Sequence, residues 1–149
     1  MAPGRISAVV FVVAALMSAP VAHALDFRSV SEAAPAYDAP SAKSKPLFVV
    51  LPGTPVELVV NLEGWSKVRD IKGDLTWIEK KYLSEKRNVI VRADRAQVYT
   101  GADDKTPLMF EAERDVVLEL LEAAPGGWIK VKHRDGQSGF LKAAQVWGV

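Results

Sequence analysis

Two stretches of this chain align without a gap. GWSKVRDIKGDLTWI (Gly64–Ile78) and GWIKVKHRDGQSGFL (Gly127–Leu141) share Gly64/Gly127, Trp65/Trp128, Lys67/Lys130, Val68/Val131 and Gly73/Gly136 at a constant offset of 63. Upstream, AYDAPSAKSKPLFVV (Ala36–Val50) is similar to VYTGADDKTPLMFEA (Val98–Ala112). There Tyr37 matches Tyr99 at offset 62, and Pro46-Leu47 matches Pro107-Leu108 at offset 61. The drifting offset marks small loop insertions, one of them in AAPGG (Ala123–Gly127). A fixed order of features in both halves is how a duplicated unit reads. Each copy is then about 60 residues, a size that is marginal when folded alone. Two such copies are expected to pack against each other. The connection Glu85-Lys86-Arg87-Asn88 is short and holds no Pro or Ser tract.

Each unit reads as all-β. VELVVNL (Val56–Leu62), DVVLELLE (Asp115–Glu122) and NVIVR (Asn88–Arg92) are rich in β-branched or alternating apolar residues. Turn chemistry separates them at Pro52-Gly53, Glu63-Gly64, Lys72-Gly73-Asp74, Pro125-Gly126-Gly127 and Asp135-Gly136. One segment competes. MFEAERDVVLELLEAA (Met109–Ala124) is rich in helix formers, but its counterpart in the first unit carries Pro52, Gly53 and Pro55, which do not suit a helix. Short strands spaced by turns predict a small barrel or sandwich per unit.

The first residues stand outside this pattern. Arg5 precedes ISAVVFVVAALM (Ile6–Met17), an apolar run of about 12 residues, too short to span a bilayer as a helix. Ala22-His23-Ala24 has the small-x-small pattern of a cleavage site. Residues 1–24 are therefore expected to be a signal peptide cut after Ala24, with an uncleaved anchor as the alternative. The expected location is periplasmic or secreted, with no membrane insertion after cleavage. The chain has no cysteine, so it has neither disulfides, nor a thiol nucleophile, nor a Cys-based metal site. Loss of Arg5 with the leader leaves 18 basic against 18 acidic residues. That neutral balance, without basic runs, argues against nucleic acid and against an anionic membrane surface.

The order of a loop tyrosine, a turn, a hydrophobic strand, Gly-Trp-x-x-Val, a Gly turn and an aromatic-Ile/Leu pair resembles bacterial SH3-like (SH3b) domains in tandem form. The resemblance covers essentially the whole chain after the leader. TWIEKKYLSEKRNVIV (Thr76–Val91) is its most specific part, similar to the family's fourth strand, a one-turn 3-10 segment around Lys81-Tyr82-Leu83, and a last strand. GFLKAAQVWGV (Gly139–Val149) matches it in the second unit. One departure is visible: the glycine that usually precedes the second aromatic is kept at Gly139 but is Thr76 in the first unit. The fold class implied is two tandem SH3-like barrels after a signal peptide. The expected boundaries are an N-terminal extension over 25–34, a first domain over 35–87 and a second over 88–149. The resemblance implies partners such as cell-wall peptides or envelope proteins.

Strand parity selects candidate binding residues, because successive side chains point to opposite faces. With Ile129, Val131 and Leu141 turned inward, Trp128 and Phe140 face outward with Lys130 and Lys132. With Val68 and Ile78 inward, Trp65 and Trp77 face outward with Lys67, Arg69 and Glu79. Tyr37 and Tyr99 can join these pairs from the first long loop of each unit. Tyr37, Trp65, Trp77, Tyr99, Trp128 and Phe140 are thus candidate ligand-binding residues, since aromatic platforms suit peptide or glycan stacking. The alternative is packing: these rings cap a barrel end or seal the contact between units, and a bulge at Ser66 reverses the parity of Trp65.

Other polar groups form no reactive constellation. His133 lies in the turn Lys132–Gly136 and reads as an exposed turn residue; one His cannot make a metal cluster. Asp103-Asp104 sits in a loop where Asp bonds its own backbone. Glu111, Glu113 and Asp115 alternate as on a strand edge, with Arg114 as their expected partner. No nucleophile, base and acid are set together, and no phosphate loop follows a strand. The expectation is a non-enzymatic binding module without cofactor or metal, recognising a peptide, a peptidoglycan fragment or an envelope protein. The alternative is an accessory subunit whose aromatic faces are buried in a protein–protein interface.

Overall fold

The computed structural model describes residues 25–149. The leader and the cut after Ala24 lie outside the described residues. The first unit runs β1 (Phe27–Val30), β2 (Ala34–Tyr37), β3 (Pro46–Val50), β4 (Pro55–Asn61), β5 (Trp65–Arg69), β6 (Leu75–Glu79), a 3-10 turn (Lys80–Tyr82) and β7 (Leu83–Ser84). The second runs β8 (Asn88–Val91), β9 (Arg95–Tyr99), β10 (Leu108–Glu113), β11 (Val117–Ala124), a 3-10 turn (Pro125–Gly127), β12 (Trp128–Lys132), β13 (Ser138–Lys142), a 3-10 turn (Ala143–Gln145) and β14 (Val146–Trp147). Strand order is β3-β2-β6-β5-β4-β1-β7 in one sheet and β10-β9-β13-β12-β11-β8-β14 in the other. The two orders are the same permutation, so the sequence repeat is a structural repeat.

Each sheet wraps its own core. Val30, Ala34, Ala36, Val56, Val68 and Ile78, from five different strands of one sheet, form a single buried cluster. Val89, Val91, Ala96, Val98, Ala112, Leu118, Ile129, Val131, Leu141 and Val146 form the other. With no second layer in either unit, one sheet can enclose one core only by curling over itself. Parity holds along the central strands: Val68 and Ile78 are buried, as are Ile129, Val131 and Leu141. Ser66 is buried without a bulge at that position, and its hydroxyl donates to Asn61 Oδ1 at 2.8 Å. The bulges fall instead on β4 between Leu58 and Val60 and on β11 between Leu120 and Glu122. The helix-forming segment 109–124 is two strands. Asp115, at φ 70°, turns the chain between them. A left-handed residue there stops a helix, and cross-strand pairing with β9 and β12 outweighs local propensity.

The expected extension over 25–34 is corrected. Phe27–Val30 is an interior strand, paired with both β4 and β7, and Ala34 begins β2. FRSV hides its strand character because Arg28 and Ser29 interrupt the apolar pattern. Its counterpart NVIV does not. Strand β1 is nonetheless buried on both faces. Val30 enters its own core, whereas Phe27 faces the second unit.

The two units are in contact. Phe27 meets Trp147 edge to face, with centroids 5.0 Å apart and planes at 84°. The Arg87 guanidinium lies 5.6 Å from the Phe27 ring and donates to the Gly148 carbonyl at 2.8 Å. Asn88 Nδ2 donates to the Gly53 carbonyl at 2.8 Å, tying the first strand of one unit to a loop of the other. A short connection and directional contacts of this kind oppose independent motion of the units.

Candidate functional site

The six aromatic candidates assemble into two trios. In the first unit Tyr37 pairs in register with Trp77 and packs edge-on against Trp65 at 5.5 Å and 81°. In the second, Tyr99 pairs with Phe140 and packs edge-on against Trp128 at 5.9 Å and 77°. All six rings are half-buried and none belongs to either core cluster. Neighbouring strands supply them: Trp65 opens β5, Trp77 lies in β6, and Tyr37 ends β2 at the start of the long loop. Aliphatic residues of opposite parity fill the core beneath, so the rings are left on the outer face. The junction between units is sealed by Trp147 and Phe27, not by these rings.

The two platforms differ in charge. Lys67 Nζ lies 5.9 Å from the Trp77 ring and Lys130 Nζ 5.7 Å from the Phe140 ring. Opposite Trp128 stands Lys142, its ammonium 5.7 Å from the indole. The register-equivalent residue opposite Trp65 is Glu79. The Trp128 face therefore already holds a cation and the Trp65 face, among the described residues, does not. Glu79 pairs with Lys81 at 3.5 Å, and Lys81 lies 5.0 Å from the Tyr82 ring. These two neighbours, Glu79 first, hold the Lys81 ammonium above its ordinary pKa.

The remaining polar candidates are placed as follows. His133 is half-buried rather than exposed. It packs 5.9 Å from Phe110 and sits 3.0 Å from an Asp135 carboxylate oxygen. The backbone N–H of Gln137, then His133, keeps the Asp135 carboxyl below its ordinary pKa. Asp103 accepts from the Lys105 backbone N–H at 2.9 Å, which is turn chemistry, and Asp104 meets Lys142 at 3.8 Å. Glu111 and Glu113 line the edge strand β10, but their cation is Arg95, at 3.2 and 4.0 Å. Arg114 turns instead to Asp94 at 2.7 Å, because the Asp115 turn carries it off the strand. Among the described residues, no group of three His, Asp or Glu side chains is placed to hold a metal ion.

Sequence reasoning missed Phe27, Arg87 and Trp147. A signal was present: Trp147 is the one tryptophan without an aromatic partner in the repeat, standing where the first unit has Ser84.

The sequence matches the family described as Bacterial SH3 domain over residues 30–85 and again over 92–148. No match was found among curated proteins. Among solved structures it is similar to NlpC2 from Trichomonas vaginalis, with 14% identity, 83% of this chain and 48% of that one covered, and a TM-score of 0.39. It is similar to NlpC1 from the same organism, with 14% identity, 98% and 51% covered, and a TM-score of 0.39. It is also similar to an NlpC/P60 family protein from Bacillus cereus, with 18% identity, 81% and 55% covered, and a TM-score of 0.37. The chain spans about half the length of these proteins, and scores this low carry nothing about activity. The repeated strand order and the two family matches, which together take in most of the chain, agree: this protein belongs to the bacterial SH3 domain family and carries two such domains in tandem.

Proposed function

We propose that the chain is a non-catalytic module of the cell envelope that recognises a peptide or a peptidoglycan fragment on the aromatic platform of its first domain. The observation that carries this reading is the duplicated Tyr–Trp–aromatic trio, held on the outer face while the buried cluster of each core is built from aliphatic side chains. Half-buried aromatic clusters offer large contact area at small entropic cost and are common anchors of recognition. The first platform is favoured because, among the described residues, no cation covers its Trp65 ring, whereas Lys142 occupies the Trp128 ring. Domains of this family are typically binding modules, often for peptidoglycan or proteins, which sets the partner class. Export is part of the proposal and rests on the apolar run Ile6–Met17 and the Ala22-His23-Ala24 site. N-terminal sequencing of the protein recovered from its host should read from Leu25; a chain that still begins upstream removes export by cleavage from the reading.

Retention of the mature chain on insoluble cell wall tests the site. Trp65→Ala is expected to weaken retention by about 2 kcal/mol, roughly thirtyfold, as for an aromatic anchor. Trp128→Ala should change it by less than about threefold. Both variants should keep the wild-type melting profile, since neither ring is in a core. No retention of the wild type at low salt discards the cell-wall partner. Equal loss in both variants discards the assignment to the first domain.

A further inference from the structure

The register of the two sheets exposes one asymmetry that neither platform explains. Pro35 pairs with Val49, and Gln97 pairs with Glu111. Ala34 pairs with Val50, and Ala96 with Ala112. Val49 therefore occupies the position of Glu111, and Leu51 that of Glu113. In the second domain these edge positions are acidic and bound to Arg95. Charged residues of this kind keep an edge strand from pairing with another chain. In the first domain the same edge is Leu47-Phe48-Val49-Val50-Leu51, with no charge. Val49 is 57% and Leu51 69% exposed, although both are aliphatic. Val50 packs on the core, so parity puts Val49 and Leu51 together on the outward side, and an irregularity at Leu47 ends the alternation there. Among the described residues, strand β3 ends its sheet and has no partner on its outer side.

The end of this strand leads into a cleft of about 840 Å³ between the domains. Leu51, Pro52, Ile90 and Val117 supply its apolar wall, and Lys132 and Arg134 of the β12–β13 turn supply cations. The other lining charges are Lys86, Glu119 and Asp115. Lys86 and Glu119 pair with each other at 3.6 Å. Among the described residues Lys132 and Arg134 form no ion pair. They outnumber the one remaining anion, Asp115. The cleft exists only because the domains are packed, since its walls come from both.

We propose that the outer edge of β3 and the cleft beyond it form a docking groove for an extended polypeptide segment that has apolar residues at alternate positions and an acidic end. An added strand pairs its backbone with β3 between Pro46 and Pro52, which bound the usable edge. Its alternate apolar side chains cover Val49 and Leu51. Its acidic end enters the cleft and meets Lys132 and Arg134. This site is separate from both aromatic platforms and does not depend on what they bind.

The test uses the full mature chain and a fluorescent synthetic peptide that alternates Val and Thr and ends in Asp-Asp, with binding read by anisotropy. Saturable binding is expected. The paired substitution Val49→Glu with Leu51→Glu, which installs what the second domain already carries at these positions, should weaken it about tenfold or more with an unchanged melting temperature. Lys132→Gln with Arg134→Gln should weaken the Asp-Asp peptide but not a version ending in Asn-Asn. Trp65→Ala and Trp128→Ala should leave the affinity unchanged. The proposal is overturned if the peptide does not bind, if the paired glutamates have no effect, or if the tryptophan variants remove binding. It is also overturned if sedimentation shows that the same edge is occupied by a second copy of this chain.

Discussion

Gly139→Thr is expected to destabilise the protein by about 3 kcal/mol, or roughly 10 °C in melting temperature, although the first domain carries threonine at the same position. A Cβ on Gly139 would stand 2.5 Å from the Tyr99 carbonyl oxygen and 2.8 Å from Val98 Cγ1. The first contact is with backbone, so no rotamer change relieves it. In the first domain Thr76 is buried at 6% exposure, and the neighbouring core position holds Ala36 in place of Val98. The repeat has thus exchanged sizes, glycine with valine in one copy and threonine with alanine in the other. A protein interior is packed closely enough to register one methyl group. Val98→Ala added to Gly139→Thr should recover part of the loss, because it clears the side-chain contact and leaves the carbonyl. Thermal and urea unfolding measure both variants. A Gly139→Thr protein within about 1 kcal/mol of wild type would mean that the second barrel can widen without cost.

Trp147→Ala should cost about 3 kcal/mol and split a single unfolding transition into two. Trp147 closes the second domain yet packs against Phe27 of the first, whose ring is only 3% exposed. Arg87 lies against that ring and holds the Gly148 carbonyl. Removing the indole opens the junction on both sides. The first domain should melt earlier, because its core is smaller and places Ser66 where the second domain has Ile129. The variant retains Trp65 and Trp77 in the first domain and Trp128 in the second, so fluorescence follows both. Hydrogen exchange should accelerate in β1 and β4 before β12 and β13. One transition with an unshifted midpoint would show that the domains are stable without this contact.

The strand pattern and the two aromatic trios were legible because both follow from local rules. Alternation along Trp65–Arg69 and Trp128–Lys132 decides which side chains enter a core, and a twelve-residue spacing across a tight turn sets Trp65 and Trp77 on one face. Tyr37 and Tyr99 could be assigned from the repeat alone. Other features were not legible. Phe27-Arg28-Ser29-Val30 reads as part of an N-terminal extension until its outer face is known to meet another domain. The acidic edge Glu111–Glu113 reads as solvated, but that Arg95 answers it follows from the β9–β10 pairing, and Arg114 was the nearer candidate in sequence. His133 reads as a turn residue, but Phe110 from a distant strand covers it.

From residue order alone came the duplication, the cysteine-free β-units, the alternation that separates cores from platforms, and the resemblance that the family match bears out. These depend on neighbours within a strand or a hairpin, whose geometry the backbone imposes at short range. Only the folded chain decided that Trp147 belongs to Phe27, that Lys142 covers one indole and not the other, and that β3 is left unguarded beside a cationic cleft. Each of those relations joins segments remote in sequence. Their partners are chosen by how curved sheets pack, and no local pattern encodes that choice.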